Sequence, residues 1–138
     1  MDEQLIIIIG LPGSGKTTYA KGLLSYKMFD DFMKDFYNGE VLKLLKNKEK
    51  VCLNDPRLCD INHFNRYEKI FLNHIPKENI HLILFENNPA QCLKNITDRN
   101  DGRKGISEWI TPLSAMYNLD NYKEYKHTVM SVYKSVIN

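Results

Sequence analysis

The stretch LIIIIGLPGSGKTT, residues 5–18, decides the fold of this 138-residue chain. Its first five residues are apolar and mostly β-branched, which is typical of a strand buried on both faces in a parallel sheet. A glycine-rich loop follows at once, and apolar residues then recur at helical spacing. The stretch therefore predicts a strand over Leu5–Ile9, a tight loop and a helix over residues 16–25.

The loop matches the motif GxxxxGK[ST] in full. Glycines let backbone N–H groups approach phosphate oxygens, and the start of the helix adds partial positive charge. The lysine of this motif reaches the β- and γ-phosphates of a nucleotide, and the hydroxyl after it binds Mg²⁺. The sequence therefore predicts a site for ATP and Mg²⁺. The predicted binding residues are Gly10, Gly13, Ser14, Gly15, Lys16, Thr17 and Thr18.

The rest of the chain alternates strand patterns with helix patterns. The predicted strands after the first are residues 27–29, 51–53, 80–85 and 128–133, the last against a C-terminal helix as the alternative. The predicted helices after the first are residues 30–36, 40–48, 61–75, 89–98 and 109–117. This alternation predicts the α/β class: a P-loop NTPase three-layer sandwich with a mostly parallel sheet of about five strands.

Composition limits the other possibilities. The length predicts one domain over residues 1–138, and a net charge of +2 is far from that of a strongly basic nucleic-acid binder. The three cysteines show no paired metal-ligand spacing, which favours a reducing cytoplasm. The apolar run at residues 5–11 is too short to span a bilayer, so we expect no membrane partner.

Three blocks of the sequence resemble the kinase domain of phage-type polynucleotide kinases, which phosphorylate 5′-hydroxyl groups of nucleic acids. The blocks are LIIIIGLPGSGKTTYAKGLL at residues 5–24, FDDFMKD at residues 29–35 and RNDGRKGISEWITPLSAMY at residues 99–117. They cover well under half of the chain. The guanine-binding NKxD motif of GTPases, by contrast, is not matched, because Asn47-Lys48-Glu49-Lys50 has lysine where the aspartate belongs.

The resemblance implies roles for residues outside the loop. Asp31 matches the general base that accepts the proton of the acceptor hydroxyl, although Asp30 or Asp31 can also cap a helix. Arg99 and Arg103 match lid arginines that stabilise charge in the transition state, and Lys16 acts with them. A solvated basic loop is the alternative for the two arginines.

The acceptor side is less well matched. Lys34 stands where the family has an arginine that holds the acceptor's phosphate, and lysine lacks the bidentate fork. Arg57 is a candidate substitute. Asp55 matches a carboxylate that orders Mg²⁺-bound water or contacts the acceptor, although a turn-forming Asp-Pro pair is an equal alternative. Trp109 is assigned no site.

The resemblance implies a kinase whose acceptor is the 5′-hydroxyl of a polynucleotide. A hydroxymethylated base in DNA and a free nucleoside or nucleotide stay open as alternatives. Two non-kinase alternatives are a nucleotide-binding module that uses ATP as a switch and an ATPase subunit of a ring. The sequence does not choose an oligomeric state.

Overall fold

A five-stranded parallel sheet runs through the residues that the structure, a computed structural model, describes: 2–32, 39–99 and 105–135. The strands are β1 (Leu5–Ile9), β2 (Lys27–Asp30), β3 (Val51–Asn54), β4 (Ile80–Phe85) and β5 (Lys126–Met130). Their order is β2-β3-β1-β4-β5, and every neighbouring pair is parallel. The predicted parallel α/β sheet is confirmed.

Helices and short 3-10 turns connect the strands. The helices are α1 (Lys16–Lys21), α2 (Glu40–Lys46), α3 (Ile61–Leu72), α4 (Pro89–Arg99) and α5 (Ile110–Met116). The 3-10 turns are Pro56–Cys59, Lys77–Asn79, Ile106–Trp109 and Leu119–Tyr122. Among the helices in the described ranges, none has the length and apolar character needed to cross a bilayer.

The central strand β1 is buried on both faces because successive side chains point to opposite sides of the sheet. Leu5, Ile7 and Ile9 belong to the larger core, which includes residues of α2, α3, α4 and α5. Ile6 and Ile8 belong to a smaller core that includes Ala20 of α1. Helices therefore cover both faces, which gives the three layers predicted from the sequence.

The carboxyl ends of β1, β2 and β3 meet at one edge of the sheet. Asn54 at the end of β3 is in register with Asp30 at the end of β2 and with Ile8 near the end of β1. Ligands of open parallel sheets bind outside these strand ends. The topology therefore places the glycine-rich loop beside the residues that follow β2 and β3.

Several element boundaries differ from those predicted. Helix α1 ends at Lys21 instead of residue 25, because Gly22 is its C-cap. Helix α2 ends at Lys46 instead of residue 48, and Lys48 has a positive φ of 60°. Helix α3 ends at Leu72, three residues before the predicted end.

The chain after β2 and the chain after β4 show two further differences. Asp30 lies in β2 and not in a helix, and residues 33–36 of the helix predicted there lie outside the described residues. Strand β5 occupies residues 126–130 instead of 128–133. Its predicted second half leaves the sheet because Tyr133 donates its backbone N–H to the carbonyl oxygen of Ser14, at 2.9 Å. The alternating pattern predicted a strand but placed its start two residues and its end three residues too late.

Candidate active site

The loop between β1 and α1 turns on two glycines with positive φ angles. Gly13 has a φ of 83°, and Gly15, the N-cap of α1, has a φ of 107°. A Cβ atom on Gly13 would lie 2.6 Å from the carbonyl oxygen of Cys92, and one on Gly15 would lie 2.8 Å from Cβ of Tyr133. Both the backbone conformation and the space therefore require glycine at these positions.

Lys16 is the first residue of α1, and its side chain is almost fully buried, at 7% exposure. Its Nζ donates a hydrogen bond to the carbonyl oxygen of Leu11, 2.8 Å away. Burial lowers the pKa of Lys16 to about 8, although nearby Asp30 and Asp55 favour its charged form. An ammonium group desolvated in this way gains strongly from an anionic ligand.

Ser14 is fully buried in the same loop, and in the described part of the chain its Oγ has no hydrogen-bond partner. A Cβ atom on Gly10 would lie 2.6 Å from this Oγ, so the loop is tightly closed here. Leaving a buried hydroxyl unsatisfied is costly. The glycine cradle, the buried ammonium and this unused hydroxyl together fit a loop that binds the phosphates of a nucleotide.

A cleft of about 270 Å³ opens between this loop and the carboxyl ends of β2 and β3. It brings together Lys16, Thr17 and Thr18 of the loop and helix with residues far apart in the sequence. The other lining residues are Pro12, Gly13, Gly15, Asp30, Asp31, Asn54, Pro56, Arg99 and Ile106. Most of the predicted site therefore lies around one space.

Two adjacent carboxylates line this cleft in different surroundings. Asp30 accepts a hydrogen bond from Nδ2 of Asn54 at 2.8 Å and contributes to the field at Lys16. Asp31 has a positive φ of 48°, which is strained for a residue with a side chain, and its N–H donates to the carbonyl oxygen of Asn54 at 2.9 Å. Asp31 contributes to the field at Arg57. Both carboxylates therefore line one cleft, and Asp30 is held in place there by Asn54.

Asp55 and Arg57 form a bidentate ion pair beside the cleft. Asp55 is completely buried, and its carboxylate accepts from Nε of Arg57 at 2.9 Å and from Nη2 at 2.7 Å. It also caps the 3-10 turn by accepting from the backbone N–H of Arg57. These hydrogen bonds raise the pKa of Arg57 and fix its guanidinium orientation.

The predicted lid is described only in part. Arg99, the last residue of α4, lines the cleft. The predicted site residues Arg103 and Lys34 lie outside the described residues. Their roles, like the chemical roles of the other site residues, stay predictions.

Asn95 connects the loop to the chain that follows β5. It is buried at 6% exposure, and its Nδ2 donates to the carbonyl oxygens of Gly13, at 2.9 Å, and Tyr133. Its Oδ1 accepts from Nε2 of Gln91 at 2.8 Å and from the backbone N–H of Ser135 at 3.1 Å. The backbone N–H of Gln91 donates to Oδ1 of Asn88 at 3.2 Å, whereas its side chain donates to Asn95. The side-chain amide of Asn95 therefore links the glycine-rich loop to α4 and to the chain that follows β5.

The sequence analysis missed Asn54 and Asn95. Asn54 directly precedes Asp55 at the end of a buried strand, so the signal that selected Asp55 applied equally to it. Asn95 lies inside an amphipathic helix, and no pattern in the sequence around it indicates a contact with the loop. Only the tertiary contacts with Gly13 and Tyr133 identify it.

The parallel sheet and the glycine-rich loop after β1 are those of an α/β P-loop NTPase fold, and the likeness to two solved structures agrees with this fold. The chain is similar to a gluconokinase from Sinorhizobium meliloti 1021, with a TM-score of 0.63 and 10% identity over 97% of this chain and 85% of that chain. It is also similar to a shikimate kinase from Bacteroides thetaiotaomicron, with a TM-score of 0.53 and 13% identity over 93% of this chain and 85% of that chain. At these identities the likeness shows the fold.

Sequence comparison gives the family. The chain is 51% identical over 138 residues to an uncharacterized protein of Acanthamoeba polyphaga mimivirus, covering 97% of this chain and 100% of the relative. It therefore belongs to the same family as this viral protein. No protein-family model matches the chain. The resemblance to polynucleotide kinases stays a prediction.

Proposed function

We propose that the protein is a Mg²⁺- and ATP-dependent kinase that transfers the γ-phosphoryl group to a hydroxyl. The observation that carries the proposal is the single cleft shared by the phosphate-binding loop, two carboxylates and Arg99. A bare phosphate site requires only the loop. The added carboxylates and arginine are groups that phosphoryl transfer uses to activate the acceptor, to order the water of the metal ion and to stabilise the transferred group.

The loop residues hold the donor. Lys16 binds the β- and γ-phosphate oxygens, and the exposed Thr17 at the start of α1 provides a hydroxyl for the metal ion. Bound Mg²⁺ supplies charge neutralisation between these phosphates. Asp30 accepts a hydrogen bond from Asn54 and favours the charged form of Lys16. Besides Thr17, Asp30 is a candidate for orienting a water molecule that Mg²⁺ would bind.

Asp31 and Arg99 act on the transferred group. The oxygen of the acceptor hydroxyl attacks the γ-phosphorus, the bond from phosphorus to the β,γ-bridging oxygen breaks, and ADP leaves. The hydroxyl proton goes to the Asp31 carboxylate. Arg99 stabilises the charge on the equatorial oxygens during transfer.

Asp55 acts through Arg57 in this proposal. Because the carboxylate is fully buried and both of its oxygens accept from Arg57, it orients the guanidinium toward the acceptor. This positioning role replaces direct metal binding as the favoured role of Asp55. In the polynucleotide kinases that the sequence resembles, an arginine at the position of Lys34 contacts the acceptor. In this proposal Arg57 makes that contact instead.

The acceptor that the resemblance favours is the 5′-hydroxyl of a polynucleotide. A hydroxymethylated base in DNA and a free nucleoside or nucleotide are the alternatives. The two structural neighbours are named for gluconate and shikimate, so small hydroxyl compounds also belong in a test. The proposed partners are thus a nucleic acid or a nucleoside-type substrate, without a membrane.

The test is a transfer assay with γ-labelled ATP, Mg²⁺ and a panel of acceptors. The panel contains 5′-hydroxyl DNA, 5′-hydroxyl RNA, hydroxymethyl-base DNA, free nucleosides, gluconate and shikimate. We expect label on one of these acceptors with the wild-type protein and with Lys21→Ala, which alters an exposed lysine of the same helix. Lys16→Ala should abolish the transfer.

Two outcomes contradict the proposal. Tight ATP binding with no label on any acceptor would favour the alternative in which the nucleotide acts as a switch. Equal transfer by Lys16→Ala and the wild type would show that the phosphates are bound elsewhere.

A further inference from the structure

A second pocket of about 470 Å³ lies beside the cleft, and no role has been assigned to it above. It is formed by the 3-10 turn Pro56–Cys59, the start of α3, the 3-10 turn Ile106–Trp109 and helix α5. We call it the Trp109 pocket. Its lining residues are Arg57, Asp60, His63, Glu108, Trp109, Pro112, Leu113 and Met116.

The Trp109 pocket adjoins the acceptor side of the cleft at two places. In the first 3-10 turn, Pro56 lines the cleft and Arg57 lines the pocket. In the second, Ile106 lines the cleft and Trp109 lines the pocket. Because each of these two turns lines both spaces, a small molecule can place one group in the cleft and another in the Trp109 pocket.

One part of the Trp109 pocket is apolar and exposed. The side chains of Trp109 and Met116 are 50% and 45% exposed, although most large apolar side chains near them are buried. Pro112 and Leu113 complete this surface. An exposed indole beside apolar side chains is suited to stacking with a planar ring.

The polar part of the pocket carries both signs of charge. Arg57 and His63 supply basic groups, whereas Asp60 and Glu108 supply carboxylates. Asp60 also caps α3 by accepting from the N–H of Asn62 at 3.0 Å, and His63 Nε2 lies 3.9 Å from its other oxygen. Arg57 is already paired with Asp55, so the set has no excess of positive charge and suits a neutral ring that has hydrogen-bond donors and acceptors. A sugar acid would require an excess of positive charge instead.

We propose that the Trp109 pocket binds the nucleobase of the phosphoryl acceptor, an inference that rests on the proposed kinase function. The base stacks on Trp109, its polar edge faces the charged residues of the pocket, and the sugar extends past Arg57. Asp31 lines the cleft together with Pro56, the residue that precedes Arg57. The sugar hydroxyl then lies between the base and the transferred phosphoryl group.

The first experiment measures the fluorescence of Trp109, the only tryptophan in the sequence, without ATP or transfer. Adenosine, thymidine, cytidine and a 5′-hydroxyl oligonucleotide are titrated separately, with ribose, gluconate and shikimate as comparisons. We expect saturable quenching by at least one base-containing probe and none by the three compounds that lack a base. Free nucleosides that quench identify a monomeric acceptor, and quenching by the oligonucleotide alone identifies a strand end.

Two matched variants locate the effect. Met116→Arg places a long charged side chain in the pocket, at a position exposed enough to tolerate it, and should remove the quenching. Leu72→Arg alters a similarly exposed leucine, at 40%, on α3 and outside the pocket residues, and should leave it unchanged. Equal quenching in Met116→Arg and Leu72→Arg would overturn the proposal.

Kinetics provide the second experiment. Trp109→Leu should raise the KM for the acceptor about tenfold or more with the KM for ATP unchanged, and Trp109→Phe should restore most of the loss. An unchanged acceptor KM in Trp109→Leu, or quenching only by gluconate or shikimate, would sink the assignment while leaving the kinase proposal intact. If no acceptor is phosphorylated, the kinase proposal fails and the fluorescence titration still decides whether the pocket binds a base.

Discussion

The phosphate-binding loop takes its shape from consecutive residues 10–18, whereas the acceptor side of the cleft is assembled from distant parts of the chain. The loop depends on backbone conformations at Gly13 and Gly15. The acceptor side depends on side chains that follow β2, follow β3 and precede α5. The loop is therefore encoded locally, whereas the proposed acceptor side is assembled by the packing of separate elements.

Replacement of the proposed base should have the largest effect, because it disables the acceptor side without touching the loop. Asp31→Asn should lower turnover by roughly 10²- to 10⁴-fold and leave the affinity for ATP within about twofold. Asparagine tolerates the positive φ at this position, so the backbone is preserved. Turnover is measured by label transfer and affinity by calorimetry. Asp120→Asn, in an exposed 3-10 turn, is the control, and normal turnover in Asp31→Asn would place the base elsewhere.

The next largest effect should come from the loop backbone. Gly13→Ala combines a positive φ with a contact of 2.6 Å to the carbonyl oxygen of Cys92, so we expect it to lower the free energy of unfolding by about 3 kcal/mol. Gly39→Ala has a similar φ of 76°, no atom of the described residues lies within 4 Å of the new Cβ, and the change should cost about 1 kcal/mol. Denaturant titration measures both. Equal losses of unfolding free energy in the two variants would show that the loop shifts to make room for the Cβ atom at position 13.

The pH dependence of ATP binding should report the burial of Lys16. In the free protein the pKa of Lys16 is lowered to about 8, and bound phosphates favour the charged form. Below pH 8 both states carry the proton, so affinity should be constant. Above pH 8 the free protein loses a proton that the complex retains, so affinity should fall by up to about tenfold per pH unit, or about 1.4 kcal/mol.

Calorimetric titration of ATP between pH 7 and 9.5 measures this dependence. Lys16→Arg serves as the comparison because arginine stays charged throughout this range, and its affinity should not change with pH. A wild-type affinity that is equally constant would mean that Lys16 is charged in the free protein up to the end of the range.

The smallest effect should follow from changing the geometry of the ion pair beside the acceptor. Arg57→Lys keeps the charge and loses the bidentate contact with Asp55. We expect the KM for the acceptor to rise about fivefold, or about 1 kcal/mol, with the KM for ATP unchanged. Steady-state assays that vary each substrate measure the two constants. Arg66→Lys, at an exposed position on α3, should change neither, and an increase in the KM for ATP would assign Arg57 to the donor side.

The sequence predicted more of the donor side than of the acceptor side. The buried strand, the glycine loop and Lys16 were identified from one stretch, and the structure brings them together with Asp31 and Arg99. Neither Asp30 nor Asn54 was predicted as a site residue, although both line the same cleft. Their roles depend on β2 and β3 being neighbours, which the strand patterns alone do not show.

The end of the chain gives the same lesson for the fold. The alternation of β-branched and polar residues correctly predicted a fifth strand. It misplaced the strand because Tyr133 leaves the sheet to bond with Ser14 and Asn95. A contact between residues so far apart in sequence outweighs the local strand preference.

The sequence alone determined the parallel α/β class and the phosphate-binding loop, because buried strands and positive-φ glycines impose strong local requirements on residue type. Only the tertiary structure decided that Asn54 bonds to Asp30, that Asn95 bonds to the loop at Gly13, and that Trp109 borders a pocket beside the cleft. These features arise where separate elements pack together. Their residue types are common ones that any of several local structures accommodates equally well.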